Sequence, residues 1–125
     1  MKIMYDTQLI LLGIYIALNA LIVGYYWNRT YLAFWIAVFF LIAIWCLDLK
    51  RYGISKGALI ITSLIVAFQG PLLENIMISL SGDRCWVYGD PFRPLKTSLF
   101  LFPGYGIMGA SSVILYSVWR YYLAK

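Results

Sequence analysis

"GALIITSLIVAFQGPLLENIMISLS", residues 57–81, holds one charged side chain in 25 residues, Glu74. A helix rising 1.5 Å per residue covers about 37 Å in that length, more than the roughly 30 Å of a bilayer's hydrocarbon core. The stretch predicts a transmembrane helix, and its single acid marks the place to look for function.

Three more uncharged stretches flank it, at about 8–27, 31–47 and 97–119. All ten Lys and Arg and the other four acids, Asp6, Asp48, Asp83 and Asp90, fall outside the four stretches. The expected fold is therefore all-α, an integral membrane bundle of four transmembrane helices forming one domain over 1–125. Its longest connection is an outer loop at 82–96. Composition agrees: 63% of the residues are hydrophobic and 12% charged, with mean hydropathy +0.82, against about 45–50% and about 25% in soluble domains. A soluble chain this short could not bury so much apolar surface. The first stretch is too long for the apolar region of a cleaved signal peptide and lacks a small-x-small site, so it reads as a retained span.

Four spans put the N-terminus, the loop at 48–56 and the C-terminus on one side. That side carries Lys2, Lys50, Arg51, Lys56, Arg120 and Lys125, against Arg29, Arg84, Arg93 and Lys96 on the other. By the positive-inside rule both termini are expected in the cytoplasm. The net charge of +5 flanks the spans, so the expected partner is the lipid bilayer with its anionic headgroups, and no nucleic acid. Cys46 and Cys85 fall on opposite sides, too far apart to pair. Two separated Cys and no His predict no metal site and no cofactor. The sequon Asn28-Arg29-Thr30 sits in a turn against the membrane and reads as coincidental.

Small residues let helices approach closely in lipid. Gly13, Ala17, Ala20 and Gly24 share a face of span one; Gly106, Ala110 and Ser117, with Gly109 and Val113 alongside, do so in span four. Both seams are expected to hold the bundle together, with a homodimer or a larger membrane complex as their alternative use. Span two lacks such a seam, and its Phe34, Trp35, Phe39, Phe40 and Trp45 suit lipid or a partner protein.

At about 100° per residue, Ser63, Ala67, Gly70, Pro71, Glu74 and Ser81 fall on one face of span three, with Ile61, Ile65, Leu72 and Ile76 opposite. Glu74 is thereby aimed into the bundle. It lies seven residues from the outer end of its span, and equal counts along the neighbouring spans reach Tyr105 and Asn19. One layer is expected to hold Glu74, Asn75, Tyr105 and Asn19. Gly70-Pro71 and Pro103-Gly104 interrupt helical regularity near that level, which predicts non-helical backbone around a small polar pocket open toward the outer loop. A carboxylate at that depth costs about 2.5–3.5 kcal/mol on insertion scales, the reason intramembrane acids are read as functional.

The candidate catalytic residues are Glu74, as proton donor or polar anchor, and Tyr105. The candidate substrate-binding residues are Asn19, Gln69 and Asn75, with Trp86 and Tyr88 from an outer loop folded back as a lid. The plainer reading makes Trp86 and Tyr88 interfacial anchors and Glu74 a hydrogen-bonded joint between helices.

The run Gly70-Pro71-Leu72-Leu73-Glu74, then Trp86-Val87-Tyr88, Pro91 and Phe102-Pro103-Gly104-Tyr105-Gly106, resembles a pattern in small uncharacterised polytopic membrane proteins. It is also distantly similar to the short integral-membrane carotenoid cyclases and hydratases, in which an intramembrane acid precedes a Trp or Tyr motif. The resemblance implies an isoprenoid or other lipid ligand. The chain lacks the paired-acid Pro-x-Glu-Glu motif of those cyclases, which separates it from their alkene protonation. Three function classes follow: a protein that binds or modifies an isoprenoid or other lipid, a proton-coupled small transporter acting as a dimer, and an accessory or assembly subunit of a larger membrane complex.

Overall fold

The computed structural model of the protein describes residues 6–82, 88, 91 and 95–124. Four helices run along the chain: α1 Thr7–Tyr25, α2 Thr30–Trp45, α3 Lys56–Leu80 and α4 Leu101–Leu123. No strand occurs among the described residues. Helices α1, α3 and α4 are long and apolar enough to cross a membrane, while α2, equally apolar, has 16 residues. The fourth helix begins later than the apolar count suggested and continues through Arg120; residues 97–100 form turns that carry the outer connection into it.

Helix α4 lies between α3 and α2, and α1 packs chiefly on α2. The α3–α4 contact is the close one. A Cβ on Gly109 would stand 2.8 Å from Val66 Cβ, and one on Gly106 would meet Leu41 Cδ2 at 3.0 Å and Ala67 Cβ at 3.4 Å. The small residues of α4 therefore work as expected, letting backbones approach until side chains interlock.

The seam of α1 does not. Gly13, Ala17, Ala20 and Gly24 are all exposed, and a Cβ on Gly13 or Gly24 would meet nothing within 4 Å. The opposite face carries Leu12, Tyr15, Ile16, Ile22 and Val23, and it is this face that joins the core. Large side chains of this face, Leu12, Tyr15 and Ile16 among them, make the packing instead, and the Tyr15 ring lies 6.2 Å from that of Phe40 on α2.

Helix α2 also departs from expectation. Thr30, Ala33, Ala37, Leu41 and Ile44 form a buried stripe that begins with small residues, and Phe40 is buried with them. Trp35 and Phe39 remain exposed. Trp45 faces inward far enough for its Nε1 to donate to Ser63 Oγ at 3.1 Å, tying α2 to α3.

In α3 the buried face is Leu59, Ser63, Ala67, Pro71 and Ile78, and Ile61, Ile65, Leu72 and Ile76 are exposed, as the helical count predicts. The expected break does not occur: α3 runs unbroken through Gly70-Pro71. Proline removes one donor, but here its ring is buried against α4, where packing offsets that loss. Pro103 sits in the first turn of α4, where backbone N–H groups lack helical partners anyway.

At one end of the bundle, residues from three segments converge. Asp6 caps α1 by accepting from Gln8 N at 2.9 Å, accepts a hydrogen bond from the Tyr52 hydroxyl and lies 3.6 Å from the Arg51 guanidinium. Tyr52 stacks edge-on against Tyr121 of α4, 5.2 Å between centroids, and Gln8 Oε1 accepts from Asp48 N at 2.9 Å. The start of α1, the α2–α3 connection and the end of α4 thus share one end, the arrangement four spans require.

Burial raises the Asp6 carboxyl, but hydrogen bonds from Tyr52 and the backbone of Gln8 and Leu9, together with the Arg51 charge, outweigh it and leave Asp6 below the usual carboxylate range. A depressed pKa contributes stability above the unfolded value, about 3.9, that is lost as pH falls through the folded one. Asp6→Ala is expected to cost about 0.5–2 kcal/mol through the lost cap. It should also flatten the decline in stability below about pH 4, measured by thermal unfolding across pH 2–7 in detergent. An equally steep decline in the variant would assign the acid sensitivity to other carboxylates.

Candidate functional site

Glu74 lies on the last third of α3, half-buried, with both carboxylate oxygens engaged. Tyr105 of α4 donates to Oε1 at 2.9 Å, and Tyr88 of the outer connection donates to Oε2 at 2.8 Å. One residue further on, Asn75 Oδ1 accepts from Lys96 N at 2.7 Å. Adjacent residues of α3 therefore hold the outer connection at two points, while Glu74 alone also reaches α4.

The position of Tyr105 follows from Gly70. A Cβ there would lie 2.3–2.6 Å from three atoms of the Tyr105 ring, so the ring lies across the glycine. Its hydroxyl then reaches one helical turn along α3 to Glu74. Gly70 and Glu74 stand four residues apart on one face. That is the structural sense of the Gly-Pro-Leu-Leu-Glu run.

Tyr105 also borders a cavity of about 370 Å³ between α1, α2 and α4. Its walls are largely apolar, with Ile16, Val23, Ala37, Phe100 and Ile107 among them, and its polar contributors are Asn19 and Tyr105. Ala20 and Met108 on its border are exposed, so it opens sideways between α1 and α4. Asn19 Oδ1 is buried with no hydrogen-bond partner. A buried acceptor left unpaired costs about 1–3 kcal/mol, and this oxygen is closed to a group the size of water, so it does not face the open space of the cavity. The volume falls in the range of ligand sites, about 300–1,000 Å³.

The expected layer is thus divided. Tyr105 belongs to both halves, Asn19 lies on the cavity side, and Glu74 with Tyr88 forms the hydrogen-bonded side. Glu74 does not line this cavity, whose walls are largely apolar. The carboxylate meets two tyrosine hydroxyls before it could meet a ligand. Asn75 is a tether for the outer connection. Gln69 is exposed on α3 and joins neither half, because five residues turn it about 140° from Glu74. Trp86 lies outside the described residues, as do Cys85, Asp83, Arg84, Asp90 and Arg93.

Two features of the site escape helical counting. The unpaired acceptor on Asn19 depends on what α4 presents to it. The open space over Gly104, where a Cβ would meet nothing within 4 Å, is invisible in a glycine-rich run. Asp6 and Tyr52 were legible in principle, since an Asp directly before Thr-Gln at the start of an apolar run is an N-cap signal. Comparison of the chain with known protein families, with curated proteins and with solved structures gives no match.

Proposed function

We propose that the chain is a multi-pass membrane protein of four spans, with both termini cytoplasmic, that binds an isoprenoid or other lipid in the cavity between α1, α2 and α4. The observation that carries this reading is the largely apolar cavity itself, with the Asn19 and Tyr105 side chains as its polar lining. A ligand with an apolar body and one hydroxyl or amide donor matches both features. Its donor would meet Tyr105, whose own proton is given to Glu74 and whose lone pairs stay free to accept, with the Asn19 side chain beside it on the cavity wall. Glu74 serves as the anchor that fixes Tyr105, and any proton passed to a ligand would travel through that hydroxyl.

The test is mass-spectrometric analysis of lipids retained by the purified full chain. Asn19→Leu removes a polar side chain from the wall, and Gly104→Leu fills the cavity from a position where the added side chain starts in open space. Each is expected to lower the retained ligand about tenfold, the equivalent of one buried hydrogen bond or a blocked cavity. Gly104→Leu should leave stability equal or raised by up to about 1 kcal/mol, since leucine favours a helix over glycine. Equal retention by both variants and the wild type would end the proposal.

A second reading, an assembly subunit, is favoured by one observation, the outward small-residue face of α1. Bulky substitutions at Gly13 and Gly24 distinguish the two: they would disrupt a complex without changing retained lipid.

A further inference from the structure

At the end of the bundle away from the Asn19 cavity, a cleft of about 460 Å³ is lined by Arg51, Tyr52 and Gly53 of the α2–α3 connection and by Tyr116, Ser117, Arg120 and Tyr121 of α4. Two guanidinium groups border one space. Each is braced by an aromatic face: Arg51 lies 5.6 Å from the Tyr121 ring centroid and 5.9 Å from that of Tyr52, and Arg120 lies 5.9 Å from Tyr116. Bracing of this kind reduces the freedom an arginine loses when it binds.

The charge at the cleft does not cancel. Asp6 lies 3.6 Å from Arg51 and offsets one of the two positive charges. The C-terminal end of α4 contributes about half a negative charge through its unpaired carbonyls. Against these stands Arg120; Lys50 beside the cleft is matched by Asp48, whose Oδ1 accepts from Lys50 N at 3.4 Å. A small excess of positive charge therefore remains in this open cleft. Ser117 and Tyr116 add hydroxyls.

We propose that this cleft binds a phosphate-bearing anion, with Arg51 and Arg120 as its ligands. Planar guanidinium groups suit the oxygens of a phosphate or phosphate ester, which they bind in pairs of hydrogen bonds. The volume exceeds what phosphate alone requires and leaves room for the substituent of an ester. Leu115, Trp119 and Leu123 stand exposed on the same end of α4, a setting in which a bound headgroup would have apolar surface beside it for its chains. Basic pockets between spans on the cytoplasmic side bind anionic headgroups in the same way.

The test uses the full chain in nanodiscs of phosphatidylcholine with and without phosphatidylglycerol, reading lipid retained after extraction by native mass spectrometry. Wild type is expected to retain phosphatidylglycerol over phosphatidylcholine by about tenfold, and Arg120→Gln to bring the ratio near one, as loss of a charge-assisted hydrogen bond implies. Arg51→Gln should do the same, but it also removes the Asp6 ion pair; Arg120, exposed on the last turn, is the variant that decides. Circular dichroism establishes that its helices remain. Inorganic phosphate added to the same discs separates the sources. Displacement of phosphatidylglycerol at millimolar phosphate would assign the cleft to free phosphate, whereas no displacement would assign it to the lipid headgroup. Equal retention of the two lipids by wild type without phosphate binding, or an unchanged preference in Arg120→Gln, would overturn the proposal.

Discussion

Gly70→Ala is expected to destabilise the protein by about 1–3 kcal/mol, the usual cost of forcing an extra group into a packed contact. Intrinsic propensity argues the other way, since alanine is better than glycine in a helix by about 1 kcal/mol. Geometry decides the sign. The new Cβ would lie within 2.6 Å of Tyr105 Cγ and both Cδ atoms, the root of the ring, so rotation of its tip cannot relieve the clash. Tyr105 must swing away, and its hydrogen bond to Glu74 goes with it. Thermal unfolding in detergent measures the loss. In a Tyr105→Ala background the same substitution should become neutral or stabilising, because the obstacle is gone. A destabilisation that persists there would show that the ring is not what confines position 70.

The second large effect concerns Glu74. Glu74→Leu removes the acceptor of the Tyr105 hydroxyl and one of the partners of Tyr88, and an unsatisfied buried donor costs about 1–3 kcal/mol. Polar contacts between spans average closer to 0.6 kcal/mol, and both tyrosines are only half-buried. The lower part of the range is therefore expected, about 1–2 kcal/mol for the pair. Glu74→Gln retains one carbonyl acceptor and offers an amide that can donate to the other tyrosine oxygen, so it should cost less than half as much. Amide exchange around residues 95–98 gives a local readout, since that segment is held by Asn75 one residue away. Similar losses in Gln and Leu variants would mean that charge, and not hydrogen bonding, is what the tyrosines require.

Much of α3 and α4 could be read from the residues because one physical rule governs both. In α3 a 3.6-residue period separates Ser63, Ala67 and Pro71 from Ile61, Ile65 and Leu72; in α4 small residues mark the face on which backbones meet. The same rule misplaces the seam of α1. Gly13, Ala17, Ala20 and Gly24 make a face suited to close approach, but whether the approaching surface belongs to the same chain depends on how far α2 holds α1 away. In α2 the buried Ala33 and Ala37 are outnumbered by aromatics, which obscure the stripe. Depth counting brought Glu74, Tyr105 and Asn19 to one level, and the structure links all three through Tyr105. What counting could not supply was direction: Tyr88 reaches Glu74 from a segment with no period, and Tyr105 is the residue shared by the carboxylate and the cavity.

The proline expectation failed for a related reason. A proline in a long apolar run predicts a break, yet one lost hydrogen bond leaves α3 continuous through Pro71, which is buried. It lies on the face of α3 that carries Ser63 and Ala67, next to Gly70, on which the Tyr105 ring of α4 lies.

The account rests on the cavity beside Asn19 holding a lipid, and the most direct measurement is the amount of ligand that co-purifies with wild type and with Gly104→Leu. A single apolar species, present in wild type at near one per chain and reduced about tenfold in a folded Gly104→Leu variant, is the predicted result. Wild-type protein that carries no such species from native membranes, or a variant that retains it in full, would contradict the account.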